Sequence, residues 1–465
     1  MTIFIDHKPI ALIQLISKIT GKFILLSLAT GIILSSCQKQ SEQPPIVASP
    51  TAVPGAPTIT GISPATGDGG TIVTVTGTNF DTVIAGDTVM VNGVPGVVKS
   101  ATATSLTFAV PQNGMSGPVR VASSKGFAIG PDFHFPHTIY ATGYQRTKAN
   151  SNSLIMIWKN SNGHYVDGYQ AFGEGLGIAV MDTDVYVAGW NYNSGAIETA
   201  RYWKNNAETV LYEGLNWSTG NAIAVNGSDV YVAGFRAVDV YNSQYVACYW
   251  KNGACTYLSQ PGPWGVANSI AISGSNVYMA GCYTGLQPSD YVAFNWPCYW
   301  KNGKMETITP MHPDGYSTAN SIFISGSDIY VAWSELYGVS TAYIWKNGVS
   351  IALTDGAHDA DVKSVFVVGN DVYAAGYESN GSRKVAKYWK NGVPVSLTNG
   401  STDAEANSIS VVGNDVYVGG YVSVSGYALI DNSDSGCIAT IWKNGTPYYL
   451  NNPIYPAKVY AITVK

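Results

Sequence analysis

Between residues 57 and 135 apolar and polar positions alternate in short runs: "PTITGISPATGDGGTIVTVTGTNF", "DTVMVNGVPGVV" and "SLTFAVPQNGMSGPVRVAS". Alternation with period two predicts strands with one buried face, and the Gly, Pro and Asn between the runs predict tight turns. Strands this short and this closely spaced form a small antiparallel sandwich. From residue 138 the pattern becomes repetition. "IYATGY", "VYVAGW", "VYVAGF", "VYMAGC", "IYVAWS", "VYAAGY" and "VYVGGY" begin at Ile139, Val185, Val230, Val277, Ile329, Val372 and Val416. Each is followed by one Trp-Lys-Asn, at Trp158, Trp203, Trp250, Trp300, Trp345, Trp389 and Trp442. The tryptophans recur about every 47 residues, a period typical of β-propeller blades.

One repeat, residues 268–309, divides into four strands: "NSIAIS" (A), "VYMAGCY" (B), "PCYWK" (C) and "KMETIT" (D). The A–B turn "GSN" and the C–D turn "NG" carry the residues that two-residue hairpins need. The first and second repeats read "WKNSNGHY" and "WKNNAE" here, so their C–D turns are expected to be longer or altered. The first repeat has no strand A before Ile139, while the chain ends in "AKVYAITVK", a strand A with no B after it. The carboxyl terminus is therefore expected to supply the missing inner strand, closing the ring and removing its exposed edges. The expected fold is all-β, a small immunoglobulin-like sandwich followed by a seven-bladed β-propeller closed by the C-terminal strand.

Two resemblances sharpen this. Pro57, Ile59, Ile62, Pro64, Gly67, Gly70, Val73, Val75, Gly77 and Phe80, with the later "VNG", "TSLTFAVP" and "GPVRV", resemble the IPT/TIG family of immunoglobulin-like domains. That resemblance covers about 80 residues and implies a spacer or interaction module without chemistry. Residues 138–465 are similar to propellers of bacterial surface proteins with Tyr-Val-Ala-Gly and Tyr-Trp-Lys-Asn-Gly repeats, which implies a fold and not an activity.

Residues 1–36 read as a secretory signal: Lys18 and Lys22, an apolar run from Phe23 to Leu34, then small residues up to Cys37. The run is short for a membrane span. "LSSC" resembles the lipobox of bacterial lipoproteins, which implies lipidation of Cys37 and anchoring in a bacterial membrane, with Gln38 favouring the outer membrane. The Pro-, Gln- and Ser-rich residues 37–56 read as an extended tether. The expected division is signal 1–36, tether 37–56, sandwich 57–135 and propeller 138–465. Five cysteines follow Cys37: Cys248, Cys255, Cys282, Cys298 and Cys437. An odd number leaves at least one unpaired. Cys282 and Cys298 flank one loop, and both a bridge and two buried thiols are open. Cys248 and Cys255 lie diagonally across a hairpin, so no disulfide is expected between them.

Charged residues make up 12% of the chain and the formal net charge is −5, which gives no basic field for nucleic acid. The spacing of Cys and His offers no zinc site, and no cofactor is expected. The repeated tryptophans sit on sheet faces that meet the next blade, so they are expected to be inter-blade core residues rather than sugar platforms. The Asp of the A–B turns (Asp184, Asp229, Asp328, Asp371, Asp415) is turn chemistry, because one carboxylate per turn gives calcium too few ligands.

Binding is expected at the opposite end, where B–C and D–A connections vary from blade to blade. Aromatic candidates there are Trp190, Tyr192, Trp217, Trp264, Tyr291, Phe294, Trp296, Tyr316, Tyr337 and Tyr427, accompanied by His312, Asp314 and Glu335. Some of these rings are expected only to pack their own loops. A second candidate set aligns at the start of strand A: Leu176, Asn221, Asn268, Asn320, Lys363, Asn407 and Lys458. These either ring the mouth of the axis with donors or satisfy backbone groups, the commoner task for such Asn. The inner strands, read as "SIAIS", "SIFIS", "SVFVV" and "SISVV", carry no acid or His. The function expected is therefore a membrane-anchored envelope protein that binds a glycan or protein without catalysis. A polysaccharide hydrolase or lyase is the alternative, and a purely structural assembly subunit is a third reading.

Overall fold

The computed structural model describes residues 55–111, 114, 116–146, 153–166, 172–192, 197–239, 244–286, 293–424 and 436–465. The signal segment, Cys37, nearly all of the tether, Tyr291 and Tyr427 lie outside the described residues.

The alternating stretch folds as two four-stranded sheets. One is ordered β1 (Thr58–Ser63), β2 (Ile72–Thr78), β6 (Ser105–Ala109), β5 (Val97–Ala101). The other is ordered β4 (Val94–Pro95), β3 (Asp87–Val91), β7 (Gly117–Ser123), β8 (Gly126–Phe133). Because successive strand residues point to opposite faces, one alternate set fills the space between the sheets. Val73, Val75, Val89, Val91, Leu106, Phe108, Val119 and Val121 make up this set and are fully buried.

The repeats form seven four-stranded antiparallel sheets. Blade 4 is representative, with strands A to D at β20 (Gly265–Ser273), β21 (Asn276–Leu286), β22 (Ala293–Lys301) and β23 (Lys304–Thr307). The other inner strands are β12 (Gly173–Met181), β16 (Ser218–Asn226), β24 (Tyr316–Ser325), β28 (Ala360–Val368), β32 (Ala404–Val412) and β36 (Ala457–Val464). As expected, β36 is the inner strand of blade 1, beside β9 (Ile139–Arg146), and it neighbours both β32 and β12. Mutual hydrogen bonds between the backbones of Thr138 and Lys465, 2.7 and 3.0 Å, finish the closure.

The repeated words are consumed by this scaffold. Trp158, Trp203, Trp250, Trp300, Trp345, Trp389 and Trp442 are all buried. Trp250 packs on Tyr186, Ala188 and Ala200 of the preceding blade, and Trp300 on Tyr231, Ala233 and Ala247. Each ring removes enough surface from water to contribute about 4–6 kcal/mol before entropy is counted. The Asn of Trp-Lys-Asn takes a positive φ and accepts the N–H that opens strand B, for example Asn252 Oδ1 from Val230 at 2.8 Å. Its amide donates to the A–B turn Asp, as Asn252 does to Asp229 at 2.8 Å. The Lys reaches the same Asp, Lys251 to Asp229 at 2.7 Å, and lies over the strand B tyrosine, Tyr231. The expectation of longer C–D turns in blades 1 and 2 is corrected: Lys159 pairs with Asn162 and Lys204 with Ala207, so both keep two turn residues. Asn205 and Asn206 take φ of 48° and 71°, doing the work of Asn-Gly.

Each inner strand also carries one extra residue, at Leu176, Asn221, Asn268, Asn320, Lys363, Asn407 and, in β36, Tyr460. The alignment that put Lys458 in this set is corrected: Lys458 pairs with Tyr144, two residues ahead of the bulge. At a bulge the extra side chain is re-aimed, and at the four asparagines it reaches the next blade. Asn221 donates to Ala267 O (3.1 Å), Asn268 to Ala319 O (3.0 Å), Asn320 to Val362 O (2.7 Å) and Asn407 to Val459 O (2.8 Å). The following Ser accepts an N–H from the same neighbour: Ser269 from Ile322, Ser321 from Val365, Ser364 from Ile409 and Ser408 from Ile462, at 3.1–3.2 Å. The asparagines thus satisfy backbone, the commoner of the two tasks expected of them.

The sandwich rests against the end of the ring that carries the A–B and C–D turns, at blades 7 and 1. Lys443, 2% exposed, pairs with Asp415 at 3.1 Å and lies over the Phe135 ring at 4.8 Å. Asn92 donates to Ser161 at 3.3 Å, and Val94 packs on the core containing Ile139, Trp158 and Tyr448.

Two expectations follow. Asn320→Ala or Asn407→Ala leaves an inner-strand carbonyl without its donor and should cost about 1–2 kcal/mol, read from urea denaturation. The second concerns acid. Side-chain hydrogen bonds, from the lysine in Asp184, Asp229 and Asp328 and from the asparagine in Asp371, hold these carboxyls below the usual range. A depressed carboxyl adds stability above its unfolded pKa of about 4 and loses it as pH falls through the folded value. Blade 4 has Asn276 in that place. Asn276→Asp should therefore raise the melting temperature at pH 7, and the gain should be lost as pH falls through the depressed pKa of the folded carboxyl.

Candidate binding face

The end of the ring opposite the sandwich is built from strand extensions and from D–A loops. In blade 5, β25 (Asp328–Tyr337) turns directly into β26 (Val339–Lys346) through Gly338, whose φ of 76° a glycine adopts freely. This hairpin carries Tyr337 past the end of the inner strand, while Glu335 still pairs with Ser317 within the sheet. The loop after β23 folds onto them. Glu335, 2% exposed, accepts the backbone N–H of His312 (2.9 Å) and its Nδ1–H (2.8 Å), with Ser317 Oγ donating at 3.4 Å. A carboxylate accepts, so the Nδ1 facing Glu335 acts as the donor. The imidazole stacks on the Tyr337 ring at 4.2 Å, 6° from parallel, and Tyr337 is 55% exposed. Of the three polar candidates in this region, His312 and Glu335 meet, while Asp314 stays exposed at the surface.

Beside this pair lies a cleft of about 280 Å³ lined by Tyr283, Trp296, Thr307, Ile308, Thr309, Pro310 and Pro313. The half-buried Trp296 donates its indole N–H to Pro313 O at 3.3 Å and meets Tyr283 edge-to-face at 5.9 Å. Phe294 and Tyr316 form a further pair at 5.5 Å. Trp264, 39% exposed, leans edge-on against Tyr245 at 4.5 Å, and Tyr245 against Phe235 at 5.0 Å. Trp217 is half-buried, and its carbonyl accepts the Ala237 N–H at 2.8 Å. The rings therefore mostly come in pairs that hold each other, with exposed faces at Trp264, Tyr316 and Tyr337.

The reading that inner strands carry no acid is corrected. The strands begin earlier than the patterned text, so Glu174, Asp361 and Glu405 stand two residues before the bulge, at the place of Lys458. Asp361 pairs with Lys363 and accepts from Ser334 (2.6 Å) and Asn320 (3.0 Å). Glu405 accepts from Lys384 at 2.5 Å. Burial would raise the Glu405 carboxyl, but the charges of Lys384, Lys363 and Lys458 hold it below the usual range. Lys458 lies over the Tyr421 ring at 4.5 Å. Lys363 and Lys458 are thus engaged with inner-strand carboxylates and a ring.

Blade 2 holds a different arrangement. In β13 (Asp184–Tyr192), Trp190 lies opposite Glu174 and Tyr192 opposite Glu198 of β14 (Glu198–Lys204). Directly opposed residues share a face, so both carboxyls and both rings stand on one side of the sheet. Trp190 and Tyr192 touch edge-to-face at 5.3 Å. Burial pushes the Glu198 carboxyl above its ordinary range. Only the position opposite Tyr192 singles it out, and the sequence pattern alone gave no reason to select it.

All five described cysteines are free thiols. Cys282 pairs with Pro297 and Cys298 with Gly281, which puts their side chains on opposite faces and excludes the bridge that was open between them. Among the described residues no group of three or more His, Cys, Asp or Glu is placed to hold a metal, and no helix is long and apolar enough to cross a membrane.

Residues 57–131 match the family model of the IPT/TIG domain. No curated protein matches the chain at a significant level. Among solved structures, the chain is similar to a structural genomics protein of unknown function from Bacteroides thetaiotaomicron, 13% identical over 78% of this chain and 95% of that one, TM-score 0.34. It is also similar to an auxiliary nutrient binding protein from the same organism, 12% identical over 85% of each chain, TM-score 0.28. A puromycin-hydrolyzing peptidase of Mycobacterium tuberculosis is 8% identical over 66% of this chain and 51% of that one, TM-score 0.44. Likeness at these levels assigns no function.

Proposed function

We propose that this protein is a lipid-anchored cell-envelope module that binds a glycan. Residues 1–36 are its signal, Cys37 carries the lipid, residues 37–56 are the tether and 57–135 the spacer. Residues 138–465 present the ligand face. The observation that carries the reading is the aromatic cleft of Trp296 and Tyr283. Its volume of about 280 Å³ suits a single sugar ring better than a protein side. Aromatic walls offer faces for the apolar side of a sugar, and the exposed His312 and Asp314 flank the cleft residue Pro313 in sequence.

The test is a glycan array followed by calorimetry on the mature chain. Trp296→Ala and His312→Ala should each weaken binding about tenfold or more, a loss of about 1.4 kcal/mol. No glycan bound, or binding indifferent to both changes, overturns the reading. Capture of a protein instead would assign the face to a protein ligand.

The carboxyl pair of blade 2 favours a second reading, polysaccharide cleavage. Glycoside hydrolysis uses two carboxyls in unlike environments, one of them kept protonated by burial. Glu198 has the acid's environment, and Glu174 stands on the same face. If this reading holds, release of reducing sugar from a polysaccharide should fall at least a hundredfold in Glu198→Gln. No release by the unmodified chain across a panel of polysaccharides excludes it.

A further inference from the structure

Blade 3 contains a thiol pair that ligand binding does not use. Strands β18 (Tyr245–Lys251) and β19 (Ala254–Tyr257) pair Cys248 with Tyr257 and Trp250 with Cys255. Both cysteines therefore stand on one face, diagonally across the hairpin. Cys248 is fully buried and Cys255 is exposed. On the adjoining strand β17 (Asp229–Ala237), Arg236 lies opposite Val246, which puts it on the same face. Its guanidinium stacks on the Tyr212 ring at 3.9 Å. Tyr257 completes the set of titratable groups here.

We propose that Cys255 and Cys248 form a redox-active dithiol, with Cys255 as the attacking thiol toward a hydroperoxide and Cys248 as the resolving thiol. An accessible thiol on the face that also carries an arginine and a second thiol is the arrangement of reactive and redox-sensing cysteines. The hydrogen bond from Cys248 and the charge of Arg236 draw the Cys255 thiol down to about 7, against its burial, while burial raises Cys248. The first thiol is thus ionised near neutrality, and the second keeps its proton until it is needed.

The thiolate sulfur of Cys255 attacks the O–O bond. It becomes a sulfenic acid, and the departing alkoxide or hydroxide takes a proton. The Cys248 sulfur then attacks the Cys255 sulfur, giving up its own proton and displacing hydroxide, which leaves as water. Two thiols and one hydroperoxide yield one disulfide, one alcohol (or water) and one water. Diagonal neighbours stand farther apart than a disulfide spans, so β19 must slide. It is the outer strand of its sheet, bonded only to β18, and can do so without breaking a second ladder.

The test uses the full chain, reduced and then exposed to hydrogen peroxide, with peptide mapping by mass spectrometry. A Cys248–Cys255 linked peptide, lighter by two hydrogens, is expected. Cys248→Ser should stop at a sulfenic acid on Cys255 that dimedone traps, and Cys255→Ser should leave Cys248 unoxidised. Alkylation of Cys255 by iodoacetamide should titrate near pH 7 and run roughly tenfold faster there than for an ordinary thiol. Alkylation that rises only above pH 8, or peroxide-treated chain without the linked peptide, overturns the proposal. Circular dichroism on each serine variant separates lost reactivity from lost fold.

Discussion

The side-chain amide of an inner-strand bulge joins one blade to the next. A blade of four strands has two faces to cover and cannot stand alone. The tryptophans cover those faces, but apolar contact is non-directional and would tolerate sliding. The Asn-Ser pairs remove that freedom. Asn320 donates to Val362 O while Ser321 accepts from Val365 N, so one blade fixes the height of the next at two points along its inner strand. Blade 7 does the same to β36 through Asn407 and Ser408. Blade 2 has Leu176-Gly177 at this place and relies on close approach, since a Cβ at residue 177 would lie 2.8 Å from the backbone of Ala222.

Two ends with different duties follow. At the turn end Trp-Lys-Asn, the turn Asp and the strand B Tyr are all committed to one another. At the other end, among the described residues, strands B and C are paired to different lengths from blade to blade. At Glu335 a buried carboxylate ties the D–A loop of blade 4 to the hairpin of blade 5. Gly315 leaves room for it, because a Cβ there would come within 3.0 Å of Glu335 Cγ. This one loop is held to the neighbouring blade by two hydrogen bonds to a single buried carboxylate.

How much of this was legible in the sequence depended on repetition. The number of blades, the burial of the tryptophans and the role of the C-terminal strand all follow from residues that recur, since a seven-fold signal averages out local exceptions. The errors fall where a repeat loses its landmark. The closing strand reads Val459-Tyr460-Ala461, with no Asn-Ser to mark the bulge, so its alignment slipped by two residues to Lys458. Asp361 and Glu405 were missed because strand A begins before its apolar alternation does. The Glu335–His312 and Glu174–Trp190–Tyr192–Glu198 groupings depend on register and on contact between different segments, which periodicity within one repeat does not reveal. Trp190, Trp217, Trp264, Trp296 and Tyr337 were placed at the correct end because the uniform turns identified the other one.

The ring has one seam, in blade 1, where the terminal strand β36 meets β9 from the other end of the propeller. That ladder is the sole place where a blade is assembled from distant parts of the chain, so opening it costs no covalent continuity. The sandwich contacts the ring at this region. Val94 packs into a core shared by Ile139, Trp158 and Val464 of blade 1 and by Tyr417 and Tyr448 of blade 7, and Asn92 reaches Ser161. Lys443 is the Trp-Lys-Asn lysine of blade 7, equivalent to residues that are about half exposed elsewhere, yet here it is buried between Asp415 and Phe135. A buried ammonium is costly unless paired and closely packed, and the sandwich supplies one side of that packing. The repeat residue that elsewhere decorates a turn has become a domain anchor, so the sandwich acts as a brace on the blades at the seam.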